Sequence, residues 1–214
     1  MTFGETLLLI LGAIVAIGVL ALLGFAVAAG LARRPDRAPV TPIDSAEMDD
    51  YFARRAAFAV TVTARTPLSR DEVFARLVGR RYLSSLPFLN GPDWRDEAVD
   101  SRGIWSERTM SGTVFSVSEL VNQFHKDEMI GLTGTAVCLP ATIGSFAEKF
   151  VLADTERPGV LEVRWTIAGT PRWIGFLPWR WAAPLSRPVF GFVLRHVLRL
   201  GAFRAPRVDD DSTA

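Results

Sequence analysis

Cysteine is all but missing from this 214-residue chain, and histidine, tyrosine and lysine are almost as scarce. With Cys138 alone, no intramolecular disulfide can form, which is compatible with the cytoplasm without dictating it. Nucleophile-base catalysis needs a Ser or Cys beside a His, and only His125 and His196 are present. His125 lies in a turn with Lys126 and Asp127, and His196 shares a polar stripe with Arg195 and Arg199. Both read as exposed polar positions, so no catalytic residue is assigned. The two histidines and the cysteine have no metal-ligand spacing, and neither a metal nor another cofactor is expected. Lysine occurs only at 126 and 149, which makes arginine the default cation. A net charge of +1 argues against a nucleic-acid partner. Gly131 and Gly134 sit within or just after a strand pattern, so no loop of the phosphate-cradling kind is present.

Charge is also missing from Thr6 to Ala32, and there the absence is informative. A helix of that length measures about 40 Å, more than the roughly 30 Å hydrocarbon core of a bilayer. Residues 6–32 are therefore read as a transmembrane helix. Ala26-Val27-Ala28 resembles a signal-cleavage site, but the segment before Glu5 has no basic residue and the apolar run is too long for a cleaved signal. Arg33, Arg34 and Arg37 follow the helix, so the positive-inside rule places the soluble part in the cytoplasm. Gly12, Gly18, Gly24 and Gly30 scatter around the helix, and only Gly24, Ala28 and Ala32 form a small-residue row.

Residues 33–45, with Pro35, Pro39 and Pro42, read as a linker, residues 46–205 as one domain, and 206–214 as an acidic tail carrying Asp209, Asp210 and Asp211. Ala57 to Arg65 alternates apolar and polar residues with a period of two, which predicts a strand. Ser69 and Glu72 form a capping box that starts a helix containing Val73, Phe74 and Leu77. Arg80 to Phe88 suits a second short helix, stopped by Pro87 and Asn90-Gly91-Pro92. Strands are then predicted over Trp94–Val99, Ile104–Met110, Val114–Phe124, Glu128–Thr135, Ser145–Ala153 and Val160–Ala168, joined by turns as an antiparallel meander. The last element, Pro188 to Leu200 with Ser186 as cap, is an amphipathic helix. Its apolar half holds Val189, Phe190, Val193, Leu194, Val197, Leu198 and Leu200.

This order, together with Phe58-Ala59-Val60-Thr61-Val62 running into Thr66-Pro67-Leu68-Ser69-Arg70-Asp71-Glu72-Val73-Phe74, resembles the START-like, helix-grip (SRPBCC) superfamily of polyketide cyclase/dehydratase and lipid-transport proteins. Gly112 through Leu120 is a second matching stretch. The resemblance spans roughly residues 55 to 203. It implies an α+β helix-grip fold: a curved antiparallel sheet of about seven strands wrapped on a long C-terminal helix, with two short helices after the first strand. It also implies a cavity between sheet and helix for a lipid or other apolar small molecule, with Trp105, Phe115, Val117, Trp165, Phe190 and Leu194 as candidate lining residues. The alternative for these side chains is a filled core. The stretch from Trp173 to Pro184 departs from the family pattern.

The carboxylate pairs Asp49-Asp50, Asp71-Glu72, Asp96-Glu97 and Asp127-Glu128 read as caps and turns. Glu119 and Glu148 differ, being single charges inside apolar strands. Facing a cavity, either would have its pKa raised by desolvation and become a general acid or base. Three of the six tryptophans fall between Arg172 and Trp181. Indole and guanidinium side chains suit a bilayer interface, so Trp173, Phe176, Trp179, Arg180 and Trp181 are candidate membrane contacts. The alternative is a loop that tucks its aromatics under the final helix. The expected function is membrane-anchored binding or transfer of a hydrophobic molecule. The rivals are a cyclase/dehydratase-like enzyme, for which only Tyr51 and Tyr82 supply phenols and neither lies in a predicted strand, and a non-catalytic interaction module with a filled core. Nothing in the sequence indicates an oligomeric state.

Overall fold

The computed structural model describes residues 3–32, 38–86, 89–95, 102–113, 115–138, 143–173, 175–177 and 179–199. Helix α1 (Phe3–Ala32) contains a 19-residue segment, Gly12–Gly30, of mean hydropathy 2.5, long and apolar enough to cross a membrane. Its described side chains from residue 12 onward touch almost nothing in the protein, the opposite of a core helix.

The domain is built on one antiparallel sheet. Strand β1 (Ala38–Pro39) is followed by a short 3-10 turn (Ser45–Glu47), helix α2 (Met48–Asp50) and a π-turn (Tyr51–Arg55). Then come β2 (Phe58–Thr66), α3 (Arg70–Val78), β3 (Leu89–Trp94), β4 (Glu107–Gly112), β5 (Ser116–His125), β6 (Met129–Val137), β7 (Ser145–Asp154), β8 (Leu161–Thr170) and α4 (Ala183–Arg199). Strands β3 to β8 form a meander, and β2 returns to pair with β8 along its whole length, giving the order β2-β8-β7-β6-β5-β4-β3. This curved sheet with a long C-terminal helix is the helix-grip architecture.

Local chemistry explains the start of the fold. Val60, Val62 and Ala64 of β2 are buried while Thr61, Thr63 and Arg65 are exposed, as the period-two pattern requires. The capping box of α3 is complete: the Ser69 amide donates to Glu72 Oε2 at 2.8 Å, and the Glu72 amide donates back to Ser69 Oγ at 3.3 Å. After α3, residues 79–86 coil through successive turns closed by Tyr82 N to Gly79 O, Ser84 N to Arg81 O and Leu86 N to Leu83 O.

Three boundaries depart from the sequence reading. Strand β3 covers Asn90-Gly91-Pro92 instead of beginning at Trp94, because a register shift between Asn90 and Asp93 accommodates the proline. Gly91 is required there, since a Cβ would lie 2.4 Å from the Arg80 carbonyl oxygen. The remainder of the expected Trp94–Val99 strand falls largely outside the described residues. Helix α4 begins at Ala183, so Ser186 is not its cap; the hydroxyl donates to Ala183 O at 2.9 Å inside the first turn. Part of the proline-rich stretch after α1 is also structured: Ala38 and Pro39 pair with Val137 and Ala136, and Val40 and Ile43 are buried.

The two sheet faces carry different cores. On the concave face, Val62, Phe150, Leu152, Val163 and Trp165 pack with Leu77 of α3 and Leu194, Val197 and Leu198 of α4. On the convex face, Ala147, Ala168 and Ala59 present small side chains, and Met48, Tyr51 and Phe52 fill the space above them. The segment before β2 is thereby held against the back of the sheet.

Candidate functional site

The concave face contains a buried charge cluster. Arg108 and Glu119 are directly opposed on β4 and β5, and Arg108 Nε donates to Glu119 Oε2 at 2.6 Å. The same guanidinium donates through Nη2 to Glu148 Oε1 on β7. Glu148 Oε2 accepts from the Trp165 indole N–H at 2.9 Å. All three charged side chains are buried, with 1% exposure for Arg108 and at most 5% for the carboxylates. The guanidinium also lies 5.1 Å from the Tyr82 ring centroid and 5.6 Å from that of Trp94.

Two carboxylates facing one guanidinium crowd negative charge into a buried site. Burial, and then the neighbouring Glu119 charge, push the Glu148 carboxyl up to about 7, although Arg108 and the Trp165 N–H oppose them. Burial alone would lower the Arg108 pKa, but Glu119 and Glu148 together hold it above the ordinary arginine value. Tyr82 is pushed well upward by burial and by Glu148, so its phenol stays protonated.

An apolar pocket of about 170 Å³ lies further along β5 and β7 and is not lined by the charged residues. It is lined by Phe115, Ser116 and Val117 of β5 and the residue before it, by Val137 and Cys138 at the end of β6, and by Ile143 and Phe146. Val117 and Phe146 precede Glu119 and Glu148 by two residues and so share their concave face. The pocket is smaller than the roughly 300–1,000 Å³ usual for drug-sized ligands, and it matches an apolar tail better than a whole lipid. A larger groove of about 570 Å³ lies at the opposite end of the sheet, between the β2–α3 turn and the β7–β8 hairpin. Its rim carries Arg70, Glu72, Asp154 and Arg157, with Arg70 paired to Asp154 at 2.8 Å, so it is a solvated charged surface.

Five of the candidate lining residues form two groups. Trp165, Phe190 and Leu194 meet beneath α4: Trp165 stacks on Phe150 at 5.2 Å and receives the edge of Phe190 at 5.7 Å, so these rings fill space. Phe115 and Val117 line the small pocket. Trp105 joins neither; it is 74% exposed, in a turn where its φ of 75° directs it away from the core. Sequence reasoning missed Arg108, and it named Tyr82 only as a phenol outside the predicted strands. A visible signal for Arg108 was its place in the same period-two register as Met110 and Ser106, which makes a charge on an otherwise buried face.

The aromatic-basic loop does not tuck under α4. Trp173, Trp181 and Phe176 are exposed, the last by 82%. Trp179 is half-buried and stacks on Trp181 at 6.2 Å. Arg180 turns back to the Phe52 and Ala56 carbonyls, and Arg172 donates to Pro39 O at 2.8 Å, pinning the loop beside β1. His196 is engaged as well, bonding Ser85 Oγ at 2.8 Å and stacking on Phe192. Val189, expected on the buried half of the helix, faces outward.

The fold is a curved antiparallel meander gripping a C-terminal helix, with Arg108, Glu119 and Glu148 drawn into its concave face. Among solved structures, the chain is similar to a START superfamily protein from Mycobacterium smegmatis, at 12% identity over 66% of this chain and 92% of that one, with a TM-score of 0.48. It is also similar to Ara h 8.0201, at 10% identity over 66% and 97% of the two chains, with a TM-score of 0.48. A third is DynU16, from the dynemicin biosynthetic locus, at 10% identity over 66% and 46%, with a TM-score of 0.46. No protein-family model and no curated protein matches the chain.

Proposed function

We propose that this protein is a membrane-tethered domain that takes the apolar portion of a lipid or similar hydrophobic molecule into its concave face. The observation that carries the reading is one of placement. The pocket of Phe115, Val117, Val137 and Phe146 lies at the sheet end where β1 leads back toward α1. A ligand partitioned in the bilayer is thereby kept at high local concentration near the pocket. In this reading the buried Arg108–Glu119–Glu148 cluster, two residues further along β5 and β7 than Val117 and Phe146, would be the nearest polar group to a ligand that extends beyond the pocket. Arg33, Arg34 and Arg37 support a cytoplasmic domain, and Trp173, Phe176, Trp179 and Trp181 support contact of the loop with the membrane surface.

Native mass spectrometry of the full chain released from membranes tests the pocket. The expected result is a co-purified apolar molecule that is lost in Val117→Trp, a variant that fills the pocket; retention in that variant would move the site elsewhere. For the loop, the double variant Trp179→Ser/Trp181→Ser in protein lacking residues 1–37 should weaken liposome binding, and unchanged binding would remove the loop from the account. One observation favours a second, enzymatic reading of cyclase/dehydratase kind: Glu148 is held near 7, the range suited to a general acid-base group.

A further inference from the structure

We infer that the outward face of α4 is an interfacial surface that lies against the leaflet from which α1 emerges; this rests on the tethering reading above and names the surface that tethering brings into contact. Leu185, Val189 and Phe192 are 72%, 62% and 58% exposed. Spaced at i, i+4 and i+7, they form one continuous stripe along the helix. On the other side of α4, Leu194, Val197 and Leu198 are buried in the core. The helix is apolar on two faces, and the described residues cover only one.

Three observations favour a bilayer over a second copy of the chain as the cover. The first is covalent reach. Only residues 33–37 separate the end of α1 from β1, so six Cα steps of at most about 3.6 Å keep Ala38 within about 22 Å of Ala32. Strand β1 lies at the sheet end where Arg172 is bonded to Pro39 and where the turn before α4 is pinned to Phe52 and Ala56. The first turns of α4 are thus held at the membrane-proximal end of the domain.

The second is continuity. Trp173, Phe176, Leu177 and Trp181, all exposed, precede the exposed Leu185 and Val189 along the chain, so the uncovered apolar side chains of loop and helix belong to one continuous segment. An amphipathic surface of this kind rests with its apolar side at the headgroup-acyl boundary. The third is charge. From Glu162 to Asp209 the chain has no acidic residue in between, while Arg172, Arg180, Arg187, Arg195 and Arg199 punctuate the segment. Arg187 and Arg195 are exposed on α4 itself. An arginine-fringed surface is complementary to anionic headgroups, whereas the same surface of a second copy would repel it.

The test uses the full chain in nanodiscs containing phosphatidylserine, with an environment-sensitive dye on Val189→Cys or Phe192→Cys and, as control, on Thr63→Cys of the exposed β2 face. Cys138, buried at the pocket wall, is replaced by Ser in every labelled chain. The expected result is blue-shifted emission at 189 and 192, quenched by brominated lipid, with aqueous emission at 63. The shift should shrink in phosphatidylcholine discs. Aqueous emission at 189 and 192 from a carbonate-resistant chain would overturn this inference and leave the tethering reading intact. Extraction of the chain by carbonate would overturn both. A shift seen only in discs carrying several chains would assign the face to self-association and overturn the bilayer as its cover.

Discussion

The concave face and the outer surface of α4 invert the ordinary distribution of side chains in opposite directions. Inside, Arg108, Glu119 and Glu148 take positions that apolar residues would normally fill; outside, Phe176, Leu185, Val189 and Phe192 stand where polar residues are normal. The buried cluster is satisfied internally, by two ion pairs and the Trp165 N–H, whereas the apolar surface has no cover within the described residues. Paired buried charge is an internal matter of fold specificity and site chemistry. Uncovered apolar surface points beyond the molecule.

The sharpest way to break this contrast is Arg108→Ala. It leaves two carboxylates buried without their cation and should destabilise the domain by about 3–5 kcal/mol, measured by thermal or denaturant unfolding. Replacing the three charges together by Met, Leu and Leu should recover most of that loss, since desolvation of the ions offsets much of their attraction. If the triple variant were as unstable as Arg108→Ala, the cluster itself would be a net source of stability.

A smaller effect follows from Glu148. Its folded-state pKa of about 7 exceeds the ordinary 4.5, so the folded state holds a proton that the unfolded state gives up. The corresponding stability is present in full below about pH 4.5 and is lost as pH rises toward 7, by at most about 3 kcal/mol. Glu148→Gln should flatten that dependence in unfolding midpoints taken between pH 5 and pH 8. An unchanged slope in the variant would place the titration on another group.

The smallest stability effect belongs to the surface. Phe176→Ser and Leu185→Ser should shift unfolding free energy by no more than about 0.5 kcal/mol in either direction, because neither side chain is packed. A large loss of stability would mean that protein, and not a membrane, covers these side chains.

The parts of this fold legible in the sequence were those with strict local rules. The alternation of Phe58 to Thr66, the Ser69–Glu72 capping box and the turn-separated meander each follow from short-range geometry, and each lies close to its predicted boundaries except the first meander strand, which is Leu89–Trp94 and not Trp94–Val99. Glu119 and Glu148 were legible as anomalies, but their joining through Arg108 was not, because it depends on strand register across β4, β5, β6 and β7. Tyr82 lies in a turn yet reaches the same cluster, a tertiary contact that no period reveals. Val189 was misplaced because a helix with two apolar faces has no polar stripe wide enough to set its orientation. Trp105 was misplaced because a positive φ in the turn before β4 rotates the side chain out of the strand pattern.

Photocrosslinking of the full chain in nanodiscs with a lipid carrying a photoreactive group on its acyl tail tests the account most directly. Crosslinked peptides are expected from three places: α1, the Trp173–Phe192 surface, and the pocket around Phe115, Val137 and Phe146. Labelling confined to α1 would contradict it, leaving a tethered domain that neither touches the bilayer nor draws a lipid from it.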